Sequence, residues 1–213
     1  MPGFFVDAEV FDLSSLNDRL RARGYERLTG LIPVIGGELR AIHDNGFVMG
    51  AYGAAILDKT GDGPGGLQTS WGGGFGLLDL GYAPVHSRSF TVSVSGGIGG
   101  YGLTLDVADT RDTTFGEVLD MPRRGTSLTR GGVLFGLMLR VDGRIPIGEV
   151  RNERQGYIAL GLRVNGLLGV AVGDWSFAND GDDDADGGPL GTLTGVYAAL
   201  VIGWGNTAGT PEL

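Results

Sequence analysis

The chain has 213 residues with 42 Gly, 8 Pro and no Cys, and its 16 Lys+Arg against 25 Asp+Glu give a formal net charge of −9. Glycine at about one residue in five, without a G-X-Y period, excludes collagen, and the acid excess argues against a surface that neutralises nucleic-acid phosphates. The missing cysteines remove disulfides, thiolate zinc sites and a thiol nucleophile, and no apolar run reaches the ~18 residues of a membrane-spanning helix.

No signal peptide is visible in the opening Met1, Pro2, Gly3, Phe4 and Phe5, which lack a basic segment ahead of a long apolar stretch, so either none exists or it was removed. Period-two alternation predicts a first strand over 3–11. Leu13, Leu16 and Leu20 then fall at helical spacing. Ser14 or Ser15 can cap the start and Gly24 can close the end, so a short amphipathic helix is expected over 14–23. Alternation resumes and predicts strands over 31–42, 47–58, 67–82, 89–105, 131–145, 156–172 and 195–205.

The connections alternate in length. The second holds Asp44, Asn45 and Gly46, a tight turn of the Asn-Gly type; the fourth, 83–88, and the sixth, 146–155, are also short. The first (12–30), third (59–66), fifth (106–130) and seventh (173–194) are mostly longer. An even number of strands whose connections differ at the two ends predicts an all-β fold: a single eight-stranded antiparallel up-and-down β-barrel over 1–213, with one short helix in the first long connection.

The faces of the strands are unlike. Over 131–145, Val133, Phe135, Leu137, Leu139 and Val141 alternate with Gly136, Met138, Arg140, Asp142 and Arg144. Over 156–172, Ile158, Leu160, Leu162, Val164, Leu168 and Val170 oppose Ala159, Gly161, Arg163, Asn165 and Gly169. Over 67–77 the apolar face is assigned to Leu67, Trp71, Phe75 and Leu77, opposite Gln68, Ser70, Gly72, Gly74 and Gly76. Two geometries fit: a soluble barrel or sandwich with the apolar face inward, or a membrane barrel with that face towards lipid.

Volume favours the second. Eight strands enclose a bore that side chains just fill, and the candidate inner face balances its charges, with Asp7, Glu9, Glu38 and Asp142 against Arg40, Arg140, Arg144 and Arg163. Ten residues at ~3.4 Å rise, tilted by ~40–45°, stand roughly 25 Å tall, the height of the apolar band of such barrels. Phe47, Trp71, Tyr82, Phe90, Tyr101, Tyr157, Tyr197 and Trp204, near strand ends, are expected in interfacial girdles.

The strand phrases 72–82, 131–137 and 195–204 give the chain a resemblance to the eight-stranded outer-membrane β-barrel proteins of bacteria, the OmpA/OmpX-like, porin-like group. The resemblance spans most of residues 3–205. It implies the fold, a bacterial outer-membrane location and lipid as surroundings; it implies no activity. Members generally end in an aromatic residue, whereas here nine residues follow Trp204.

Three local patterns bear on chemistry. Asp182, Asp184, Asp186 and Gly187 reproduce the opening D-x-D-x-D-G of a calcium loop, with Asp180 beside them, but Leu193 stands where the bidentate Glu belongs. A solvated acidic loop tip is expected, with a weak calcium site as the alternative and no other cofactor. The inner charges read as a salt-bridged plug, because buried charges persist when paired; a polar lumen passing small solutes is the alternative. His43 and His86, the only two histidines, fall at short turns, which disfavours a catalytic base, and no G-x-S-x-G is present.

Arg19, Arg21 and Arg23 on the helix, with Arg27 beyond it, suit anionic head groups, but a lid packed over one barrel mouth through Leu13, Leu16 and Leu20 is the favoured reading. The leading expectation is a monomeric outer-membrane-type barrel with a structural or surface-interaction role, meeting any extracellular partner through loops 106–130 and 173–194. The alternatives are a soluble lipocalin-like barrel around a hydrophobic ligand and an envelope lipid-modifying enzyme. The reading leans away from catalysis.

Overall fold

A computed structural model gives the fold and describes residues 1–28, 31–109, 125–151, 154–178, 180–185, 188 and 192–208; side chains at 109, 149–151, 154, 180–185, 207 and 208 are outside the description. Strands β1 (Pro2–Phe11), β2 (Leu31–Ile42), β3 (Phe47–Asp62), β4 (Leu67–His86), β5 (Phe90–Asp109), β6 (Thr126–Arg151), β7 (Arg154–Ala171) and β10 (Thr192–Ala208) form the wall. Each pairs antiparallel with its neighbour in sequence, and β1 closes on β10, giving an eight-stranded up-and-down barrel. Closure leaves no unpaired wall edge. The long connections lie at one end and the short turns at the other.

Two short strands, β8 (Trp175–Phe177) and β9 (Asp180–Ala185), form a hairpin that extends the sheet through Leu128↔Phe177 on β6. Of the acidic tip, Asp180, Asp182 and Asp184 are strand backbone, and Asp186 and all four carboxylates lie outside the described residues. So does 110–124 of the fifth connection. Several strands run longer than the alternation indicates: β4 and β5 have 20 residues each and β6 has 26. The sixth connection shrinks to 152–153, because Pro146 and Ile147 still pair with Tyr157 and Gly156 before a register shift at Ile147/Arg151.

Helix α1 (Ser14–Ala22) sits at the long-connection end. Its start differs from expectation: Leu13 is the cap residue and makes no side-chain bond, while the Asp12 carboxylate accepts from the Ser14 amide at 3.0 Å. Gly24 (φ +84°) turns the chain back and donates to the Arg21 carbonyl. Asn17 then clamps the return segment, donating to the Leu28 carbonyl (3.0 Å) and accepting from its amide (2.8 Å). Leu13, Leu16, Leu20 and Leu28 are buried together, whereas Arg19, Arg21, Arg23 and Arg27 are exposed.

The wall turns its β6 and β7 apolar faces outward. Phe4, Leu137 and Leu200 are 65%, 66% and 71% exposed, and Val6, Leu39, Leu80, Leu139, Leu160 and Ile202 belong to the same outward belt. At β4 the assignment of faces is reversed. Trp71, Phe75 and Leu77 are buried in the bore, and the partly exposed Gly74 and Gly76 alternate with them on the outer surface. The bore has two levels, and its long-connection half holds few charges. There it is filled by rings and aliphatics, including Phe11, Trp71, Leu103, Leu105, Trp175 and Leu193 with the helix leucines on top. Phe11 and Trp71 meet edge to face at 5.4 Å.

The aromatic girdle is also only half as expected. Phe47, Tyr82, Phe90 and Trp204 are exposed near the short-turn end, where Phe4 and Trp204 lie 5.8 Å apart. Trp71, Tyr101, Tyr157 and Tyr197 are buried inside instead. Proximity to a strand end places a ring along the axis; strand parity decides whether it points out or in.

Candidate functional site

The polar half of the bore is built by inward positions of all eight wall strands. On β6 and β7, Arg140 and Arg163 are direct cross-strand partners. Two like charges so placed repel, and Glu38, reaching in from β2, bridges them. Arg140 Nη1 donates to Glu38 Oε1 and Arg163 Nη1 donates to Glu38 Oε2 at 2.9 Å. Arg140 Nε is shared between the two oxygens of Asp142 at 2.7 and 2.9 Å. Arg40 extends the chain of charges, with Nη1 3.8 Å from Asp142 Oδ2 and Nη2 donating to Ser93 Oγ. All five charged groups are buried.

The Arg163 guanidinium also lies over three rings, 3.9 Å from the centroid of Phe5, 4.9 Å from Tyr52 and 5.5 Å from Tyr197. Weakly hydrated and planar, an arginine head suits this setting better than an ammonium. Asn165 Nδ2 donates to both tyrosine hydroxyls, at 3.2 Å to Tyr52. Two glycines make room for these groups. A Cβ at Gly161 would strike Asp142 Oδ1, and one at Gly36 would strike the Phe5 ring.

Of the eight residues assigned to the interior, five thus share one connected network. Asp7 and Glu9 are buried on β1 but stand apart from it: none of their four carboxylate oxygens receives a hydrogen bond from the described residues. Arg144 lies at the short-turn mouth, half-buried, with Nη1 donating to the Ser87 carbonyl at 3.3 Å and its head 5.1 Å over the Tyr157 ring. The sequence reading missed Asp79, buried beside the network, with Ser93, Asn165, Tyr52 and Tyr197. Asp79 was legible, because it continues the Phe75 and Leu77 face of β4; with that face assigned to lipid, a carboxylate there had no place.

Among the described residues, acidic side chains therefore outnumber basic ones in the middle of the bore. Asp7, Glu9, Glu38, Asp79 and Asp142 face Arg40, Arg140 and Arg163. Between Glu38, Arg40, Asp79 and Arg140 remains a void of about 10 Å³, room for about one water. His43 and His86 are both exposed at the short-turn end. Neither approaches Asp7 or Glu9, which lie within the bore.

No family model matches the chain, and no curated protein matches it. Among solved structures, it is similar to a major outer membrane protein from Thermus thermophilus, with 13% identity and a TM-score of 0.36 over 94% of this chain and 99% of that one. It is also similar to the outer membrane protease OmpT from Escherichia coli, with 10% identity and a TM-score of 0.33 over 96% of this chain and 92% of that one.

Proposed function

We propose that the chain is an outer-membrane-type β-barrel with a structural or surface-interaction role. Lipid surrounds its outward belt, the network of Glu38, Arg40, Arg140, Asp142 and Arg163 closes its bore, and residues 106–130 and 173–194 meet whatever partner lies beyond the membrane. One observation carries this reading: on β1, β2, β6, β7 and β10 a belt of large apolar side chains, among them Phe4, Leu39, Leu137, Leu160 and Leu200, points away from the barrel and is 49–71% exposed. Soluble monomers rarely expose contiguous apolar patches beyond a few hundred Å², whereas a lipid-facing wall requires one. The exposed aromatics at one end suit an interface. Eight strands are in keeping with the resemblance to the OmpA/OmpX-like group, and a closed wall suits a monomer.

Refolding with and without detergent micelles tests the reading. Far-UV circular dichroism should report β-structure, and the gel mobility of unboiled and boiled samples should differ, only when micelles are present. A compact β-rich monomer in plain buffer would overturn it.

A further inference from the structure

We propose that the short-turn mouth of the barrel binds a phosphate-bearing anion. A cavity of about 560 Å³ opens there, lined by Arg40, Asp44, His86, Arg88, Arg144 and Tyr157 among others. These residues come from β2, the β2–β3 turn, β4, the β4–β5 turn, β6 and β7, so the cavity lies on the barrel axis and not on the outer surface. Among the described lining residues, three guanidiniums and an imidazole stand beside one carboxylate.

Two of the guanidiniums have donors to spare. Arg40 is only 6% exposed; its Nη2 is taken by Ser93, while Nε and Nη1 have no hydrogen-bond acceptor. Arg144 is held by the Ser87 carbonyl and the Tyr157 ring, and its Nε is likewise without an acceptor. Asp142 and Asp79 flank Arg40, the former 3.8 Å from its Nη1, yet neither accepts a hydrogen bond from Nε or Nη1, and Glu38 is engaged by Arg140 and Arg163. Buried N–H groups without acceptors are costly, so the mouth calls for a ligand that brings several acceptor oxygens. Guanidiniums lining one cavity from different walls suit a tetrahedral oxyanion, and the fork of an arginine matches two phosphate oxygens.

The proposal does not rest on the membrane reading, since the mouth is formed by the barrel itself. The phosphate can belong to a free solute or to a lipid head group. Titration of inorganic phosphate into the refolded full chain, in whichever medium it folds and at constant ionic strength, should give saturable one-to-one binding by calorimetry. Arg144→Gln combined with Arg88→Gln should weaken it by roughly tenfold or more, and Lys59→Gln at the far end should leave it unchanged. Arg88 is exposed on a turn, so Arg88→Gln alone keeps the test available if the double variant does not fold.

Competition by dihexanoyl phosphatidic acid distinguishes the sources. Displacement at lower concentration than inorganic phosphate upholds the site with a lipid head group as ligand, and equal or weaker displacement upholds it with a free anion. Absence of saturable phosphate binding to the wild type, or an equal loss in Lys59→Gln, overturns the proposal.

Discussion

Glu38 and Glu9 are both buried carboxylates from inward positions of neighbouring strands, yet their substitution should have opposite consequences. Glu38 holds Arg140 and Arg163. Glu38→Gln leaves two buried guanidiniums competing for one amide oxygen, and unpairing a buried charge costs about 3–5 kcal/mol. Glu9 receives no hydrogen bond from the described residues. Glu9→Gln removes an acidic group that is expensive to ionise in a buried site and breaks no bond, so stability should hold or rise. Urea unfolding of both variants in the same micelles checks the contrast. The types of these residues were readable in the sequence, because charges alternating with Leu and Val on β6 and β7 have to face inward together. Their pairing was not, because Glu38 and Arg163 are 125 positions apart and meet only across the closed bore.

At the level of elements, α1 is seated by apolar contact and by its Asn17 clamp more than by helical propensity. Nine residues form a marginal helix in water. Leu16→Ala should cost about 2–5 kcal/mol if the seat cannot collapse around the lost atoms, read as faster amide exchange over 14–22. The start of the helix carries a pH dependence. Hydrogen bonds from the Ser14 side chain and amide hold the exposed Asp12 carboxyl below its usual range. A carboxylate favoured in the folded state stabilises above its ordinary value of about 3.8, and that contribution goes as pH falls through the lowered value. Protection of the Ser14 amide should therefore fade in acid while that of the barrel strands remains. Asp12→Asn should shift the fading out of the acid range.

For the whole molecule, the connected interior charges and the small void around them set an expectation about transport. Arg140→Ala should leave Asp142 without the Nε–H that its two oxygens share and one oxygen of Glu38 without a partner, destabilising the barrel without opening a path. Planar-bilayer recordings and thermal melts on one preparation separate the possibilities. Retained stability with a new conductance would mean that the network is a removable constriction and not the packing of the bore. The eight strands, their order and the unlike ends were present in the sequence, because period-two alternation and turn chemistry are local properties of the chain. The direction each face takes was decided by closure. At β6 and β7 one face carried charges, so the apolar face was forced outward. At β4 one face carried rings and the other glycine, and apolarity alone could not distinguish a ring facing lipid from a ring filling the bore. Inward placement of Trp71, Phe75 and Tyr197, the isolation of Asp7 and Glu9, and the gathering of Arg40, Arg88 and Arg144 at one mouth all depend on strand stagger around a closed ring, which brings together residues that no local pattern relates.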